Sequence, residues 1–153
     1  MQLGEGRTYF PESNDLLILT FGNGVPMSLR SARVIQQAMG CKVRVVDLRW
    51  LQPLNAEFIV EQARDCKAVL VVDEGRRSAG VGEGIMTALV EGGLGSLPIK
   101  RVVGADCFTP LGDAAGLVLP SEGEIAAAGI ELAKTIKSAQ TLTQTLSLIH
   151  ISE

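Results

Sequence analysis

The chain has 153 residues, the size of one domain able to bury about two-thirds of the surface its unfolded form exposes. Hydrophobic residues make up 46% and aromatic residues only 4%, so aliphatic side chains must fill the core. A net charge of -3 without a basic run speaks against nucleic acid as a partner, and the longest apolar runs, such as Ala68 to Val72, are too short to cross a bilayer.

Met1 to Asn14 contains one weak strand candidate, Arg7 to Phe10, suited to a sheet edge. Leu16 to Thr20 is a short apolar run of the kind buried in parallel sheets. A helix is predicted from about Pro26 to Met39, with Leu29, Ala32, Ile35 and Met39 on one face and Gly40 as its stop. Val43 to Asp47 is the next strand, followed by a helix from Ala56 to about Asp65 with Asn55 as N-cap. Ala68 to Asp73 is a third buried strand, and Gly82 to Glu91 a third helix ending in Gly92-Gly93. Ile99 to Val103 completes the strands, and Ser121 and Glu124, at capping-box spacing, open a last helix bearing Ile125, Ala128, Leu132 and Ile136. This alternation predicts a mostly parallel sheet with helices on both faces.

Past Ile136 the composition turns to Ser, Thr and Gln, and Ser138 to Ser147 shows no apolar helical stripe. Leu146 to Glu153 resembles translated sequencing-adapter read-through. Residues 1–137 are therefore expected to be the domain, and 138–153 a disordered or artefactual tail.

Gly22-Asn23-Gly24 leaves a strand and opens a helix, where backbone amides can hold an anion, but a tight turn needing positive φ is the favoured reading. The stretch from Asp73 to Gly82 is the most unusual, a charged and glycine-rich loop at the end of a strand where open α/β sheets carry ligands or partners. There Arg76 and Arg77 suit carboxylates or phosphate, and Gly80 and Gly82 suit close approach of another backbone. Candidate subunit-interface or anion-contact residues are thus Asn23, Glu74, Arg76, Arg77, Gly80 and Gly82.

No catalytic or metal-binding residues are expected. The single histidine, His150, lies in the tail, and no Cys/His cluster exists. Cys41, Cys66 and Cys107 are odd in number and widely spaced, which reads as reduced thiols of an intracellular protein.

The order of motifs resembles a known family. Val45-Val46-Asp47-Leu48-Arg49-Trp50-Leu51-Gln52-Pro53-Leu54-Asn55 is similar to the V-I-D-L-R-x-L-x-P-L-D signature of transketolase C-terminal domains in beta subunits of 2-oxo acid dehydrogenases. Leu70 to Glu74 resembles L-V-V-x-E, Gly80 to Glu83 resembles G-x-G-x-E, and Arg101 to Asp106 resembles R-V-x-G-x-D. Pro110 and Leu119-Pro120-Ser121 keep the register. Gly75-Arg76-Arg77-Ser78 departs from the commoner A-P-R-T, and Asp73 stands where many relatives have His.

The resemblance implies a three-layer α/β/α domain whose mixed five-stranded sheet has an antiparallel edge strand. It implies a parent enzyme that uses thiamine diphosphate and Mg, with neither held by this domain. It further implies that the chain is inactive alone and assembles with a pyrimidine-binding domain, an alpha subunit, a second beta subunit and an acyltransferase core. The expected location is the bacterial cytoplasm, or the mitochondrial matrix in a eukaryote. Alternatives are the equivalent domain of transketolase or 1-deoxyxylulose-5-phosphate synthase, and a free-standing nucleotide- or phosphate-binding module.

Overall fold

The computed structural model describes residues 4–150, and the side chains of those up to 147. Five strands form one sheet in the order β1-β3-β2-β4-β5. They are β1 (Arg7–Tyr9), β2 (Leu16–Thr20), β3 (Val43–Asp47), β4 (Ala68–Arg76) and β5 (Ile99–Gly104). Strand β1 runs antiparallel to β3, and the other pairings are parallel. The mixed sheet with its antiparallel edge is the one expected.

Alternation along each strand sends side chains to two cores. Leu16, Ile18, Val43, Val45, Leu70 and Val72 pack with Ile35 of α1 (Gly24–Met39) and with Ile125, Leu132 and Ile136 of the last helix, α4 (Glu122–His150). On the other face Leu17, Leu19, Val46, Val69 and Val71 meet Ile59 of α2 (Ala56–Ala63) and Ile85 and Leu89 of α3 (Val81–Leu89). The result is three layers. No helix among the described residues is long and apolar enough to cross a membrane.

Helix boundaries follow local chemistry. Helix α1 starts at Gly24, two residues before the predicted Pro26, which still falls in the first turn where its missing N–H costs no bond. Asn55 caps α2 by accepting the Phe58 amide at 3.0 Å. Ser121 and Glu124 form the expected capping box: the Ser121 hydroxyl accepts the Glu124 amide at 3.2 Å, and Glu124 accepts the Ser121 amide at 2.8 Å. Helix α3 gives way at Val90 to a wider turn ending at Leu94, where Gly93 takes φ of 80°.

The N-terminal segment is tied down by Arg44, whose side chain is buried. Its guanidinium donates to both carboxylate oxygens of Asp65 at 2.8 and 3.0 Å, to the Gln62 carbonyl at 2.9 Å and to the Pro11 carbonyl at 2.6 Å. This holds the Asp65 carboxyl below its ordinary range.

One expectation needs correction. Helix α4 continues through His150 instead of giving way to irregular chain after Ile136. Hydroxyls of Thr141, Thr143 and Thr145 bond back to the carbonyls one turn earlier, so Thr and Ser are accommodated on an exposed helix. Every residue of 137–147 is nevertheless exposed, in keeping with the missing apolar stripe.

Candidate functional site

Four parallel strands end at one carboxyl edge, and the loops leaving β2 and β4 turn to opposite faces, since α1 and α3 lie in different layers. The gap between such strands is where open α/β sheets bind ligands. Here it is bridged. Asn23, beyond β2, donates through Nδ2 to Glu74 Oε1 of β4 at 3.1 Å.

The start of α1 is also occupied. Gly24 N–H donates to the Phe21 carbonyl at 3.1 Å and Val25 N–H to the Gly22 carbonyl at 3.2 Å, while Pro26 has no N–H to give. Gly22 takes φ of 56° to make this turn. Geometry therefore supports the tight turn at Gly22-Asn23-Gly24 over the anion cradle.

The glycines of the next loop serve an internal purpose. Asp73 is 2% exposed, and its carboxylate accepts the Gly75 amide through Oδ1 and the Gly82 amide through Oδ2, both at 2.7 Å. The N-cap of α3 is Gly80, which has no side chain for capping, so Asp73 does this from the end of β4. A Cβ on Gly80 would lie 2.5 Å from the Arg76 carbonyl and 2.9 Å from Asp73 Oδ2, and one on Gly75 2.8 Å from Asp73 Oδ1. Gly80 and Gly82 thus admit a carboxylate of their own chain.

The remainder of the loop is fixed from the side. Asp106 accepts both the hydroxyl and the amide of Ser78, at 2.7 and 2.8 Å, and these bonds, helped by Arg76 and Arg77, hold its carboxyl below the ordinary range. Glu83 accepts the Ala79 amide at 3.1 Å, and Arg101 donates to the Arg77 carbonyl at 3.3 Å. Strand β4 reaches Arg76, three residues beyond the predicted end, pairing with Gly104 after a register shift. Both Arg76 and Arg77 are exposed, and neither guanidinium belongs to an ion pair among the described residues.

Beside Arg76 lies a feature that sequence reading missed. The segment after β5, which includes a short 3-10 turn at Gly112–Leu117, holds Phe108, Leu111 and Leu117 at 94%, 95% and 87% exposure. Between it and β4 is a notch of about 320 Å³ lined by Glu74, Arg76, Cys107, Phe108 and Leu119. Three large apolar side chains in a Gly- and Asp-containing stretch without helical or strand period were the available signal.

The signature from Val45 to Asn55 is explained by architecture. Asp47 accepts the Arg49 amide at 3.1 Å and pairs with its guanidinium at 3.5 Å, letting Arg49 hold φ of 57° as the chain turns from β3 toward α2. Leu51 and Leu54 bridge across the bend, and Asn55 both caps α2 and donates to the Gly4 carbonyl at 3.1 Å.

Comparison with known proteins agrees with this geometry. Residues 6–122 match the family described as transketolase, C-terminal domain. The pyruvate dehydrogenase E1 component subunit beta of Staphylococcus aureus is 37% identical over 116 residues, covering 74% of this chain and 35% of that protein. The Staphylococcus epidermidis counterpart is 34% identical over the same shares. A solved split-gene transketolase, described as an inactive β4 tetramer, superimposes with a TM-score of 0.72 at 28% identity, over 90% of this chain and 43% of that one. The chain spans about a third of the length of the curated relatives it matches. With the motif order, the mixed sheet and residues 6–122 all in agreement, the chain belongs to the transketolase C-terminal domain family.

Proposed function

We propose that this chain is the C-terminal assembly domain of a 2-oxo acid dehydrogenase beta subunit, whose parent enzyme decarboxylates a 2-oxo acid oxidatively and passes the acyl group to lipoyl. The observation that carries the reading is the segment after β5, where Phe108, Leu111 and Leu117 stand exposed and Phe108 lines a notch with Arg76, giving the carboxyl edge both apolar and cationic surface. The identity to E1 beta subunits supports the parent class. On this reading the face meets the pyrimidine-binding domain, the alpha subunit or the second beta subunit, in the cytoplasm of a bacterium, and the acyltransferase core is a further partner of the assembly.

Thiamine diphosphate and Mg belong to other parts of that parent enzyme. The residues at this edge do not fit a diphosphate: the first amides of α1 and the Gly82 amide of α3 are already bonded internally, and the Asp73 carboxylate is spent on that same cap. Calorimetric titration of the chain with thiamine diphosphate and Mg²⁺ should show no micromolar binding; such binding would place the cofactor here and overturn the assignment.

The main test is a chimera in which the chain replaces the matched segment of the S. aureus beta subunit. It should assemble with the alpha subunit, and the triple change Phe108→Asp, Leu111→Asp, Leu117→Asp should abolish assembly while the isolated domain still folds. Failure of the unsubstituted chimera, with assembly in a matching transketolase chimera, would favour the second reading, to which the split-gene transketolase likeness points.

A further inference from the structure

On the layer formed by α2 and α3, away from the carboxyl edge, the two helices leave an open groove of about 410 Å³. Its floor is small and apolar: Val60 of α2 faces Ala88 of α3 and Gly92 in the turn beyond it, with Ala56 at the exposed rim. The groove follows from residue size, since a Cβ on Gly92 would lie 2.4 Å from Val60 Cγ2, so the backbone of the turn rests directly on Val60.

Around this floor stand Glu57 and Glu61, one helical turn apart on α2, and Glu91 opposite, with Arg64 the one cation among the lining residues. All four are exposed, and none belongs to an ion pair among the described residues. Glu57 sits in the first turn of α2, where the helix dipole favours it. No such benefit reaches Glu61, and like charges four residues apart repel. Three carboxylates against one guanidinium leave a net charge of about -2 around an apolar trough, the complement of a helix with an aliphatic row flanked by Lys or Arg.

We infer that the α2–α3 groove docks a basic amphipathic helical segment of a partner protein, its aliphatic side chains on Val60 and Ala88 and its cations against Glu57, Glu61 and Glu91. This surface is separate from the carboxyl-edge face and does not depend on the reading of that face.

The test is fluorescence anisotropy of the full chain with a labelled Leu/Lys/Ala helix whose leucines fall at i, i+3, i+4 and i+7. Saturable binding is expected, about tenfold weaker in Glu57→Gln/Glu61→Gln/Glu91→Gln, on the modest worth of three exposed ion pairs. Ala56→Trp, placed at an exposed rim position, should fill the groove and block binding without loss of fold by circular dichroism. A control peptide with its leucines changed to serine should not bind. Equal binding of that control would reduce the effect to unspecific charge, and undiminished binding to the triple glutamine variant would show that the carboxylates take no part; either overturns the proposal. Concentration-dependent dimerisation of the chain that Ala56→Trp abolishes would make a second copy the occupant instead. Loss of peptide binding in the assembled E1 chimera would assign the groove to the parent enzyme's own subunits, also against the proposal.

Discussion

Replacing Asp73 by Ala removes the acceptor of two backbone amides, those of Gly75 and Gly82, each 2.7 Å away. The Gly82 bond is buried, so its amide would lose its partner without gaining water, and α3, whose glycine N-cap has no side chain, would lose the carboxylate that caps it. Bonds to a charged acceptor contribute about 1.5–3 kcal/mol each, and loss of a cap costs roughly 1 kcal/mol, but these overlap at Gly82. Relief of the carboxylate's desolvation offsets part of the loss. The net is about 2–3 kcal/mol, which for a domain of this size lowers Tm by roughly 5–10 °C. Asp73→Asn keeps an oxygen for one amide and turns an NH2 toward the other, so it should fall between wild type and Ala. Urea unfolding followed by circular dichroism measures both. An Ala variant within about 0.5 kcal/mol of wild type, the range of ordinary surface changes, would refute the view that this carboxylate organises the loop.

Acid sensitivity should trace in part to Asp15, which burial disfavours as an ion but which Lys67 at 2.5 Å and the Lys42 amide at 2.9 Å hold below its ordinary pKa. Its folded pKa is depressed, so the contribution is present above the unfolded value of about 3.9 and is lost as pH falls through the folded one. Lys67→Met should therefore cost about 0.5 kcal/mol near pH 6 and nothing near pH 2; equal loss at both would show a packing effect. Burial pushes the Cys41 and Cys66 thiols up to about 11, whereas Cys107 is exposed, so iodoacetamide at pH 8 should modify one thiol quickly, and a second fast equivalent would contradict the burial. Deleting residues 138–153 should leave Tm unchanged within a degree or two, because 137–147 are exposed throughout; a fall of several degrees would show packing that exposure does not reveal.

Strands were the most legible elements because burial on both faces forces continuous aliphatic runs. Leu16–Thr20 and Val43–Asp47 stand where that pattern puts them. The extension of β4 through Glu74, Gly75 and Arg76 was hidden, since those residues are polar or lack a side chain and pair with β5 only after a register shift. The capping box at Ser121 was readable because both partners lie within three residues. The continuation of α4 was not: Thr and Ser lower helix propensity only slightly, and threonines that bond to the preceding turn let a formed helix run on without any apolar face.

The carboxyl edge was legible by position and misjudged in detail, for one physical reason. Sequence spacing marks a glycine as a place of close approach but does not say what approaches. At Gly75 and Gly82 the approaching group is Asp73, nine residues before Gly82 and brought back by the strand-to-helix turn, and at Gly80 it is Asp73 together with the Arg76 carbonyl. Once that internal demand is met, the glycines need no partner molecule, and the argument for an interface passes to groups the fold leaves unused. These are the guanidinium groups of Arg76 and Arg77, and the exposed apolar side chains of Phe108, which shares the notch with Arg76, and of Leu111 and Leu117 after it. The latter lie about thirty to forty residues further along the chain, and the pairing of β4 with β5 brings the two segments side by side. A surface assembled by strand pairing has no local pattern, so the half of it that lies after β5 becomes visible only when the sheet is built.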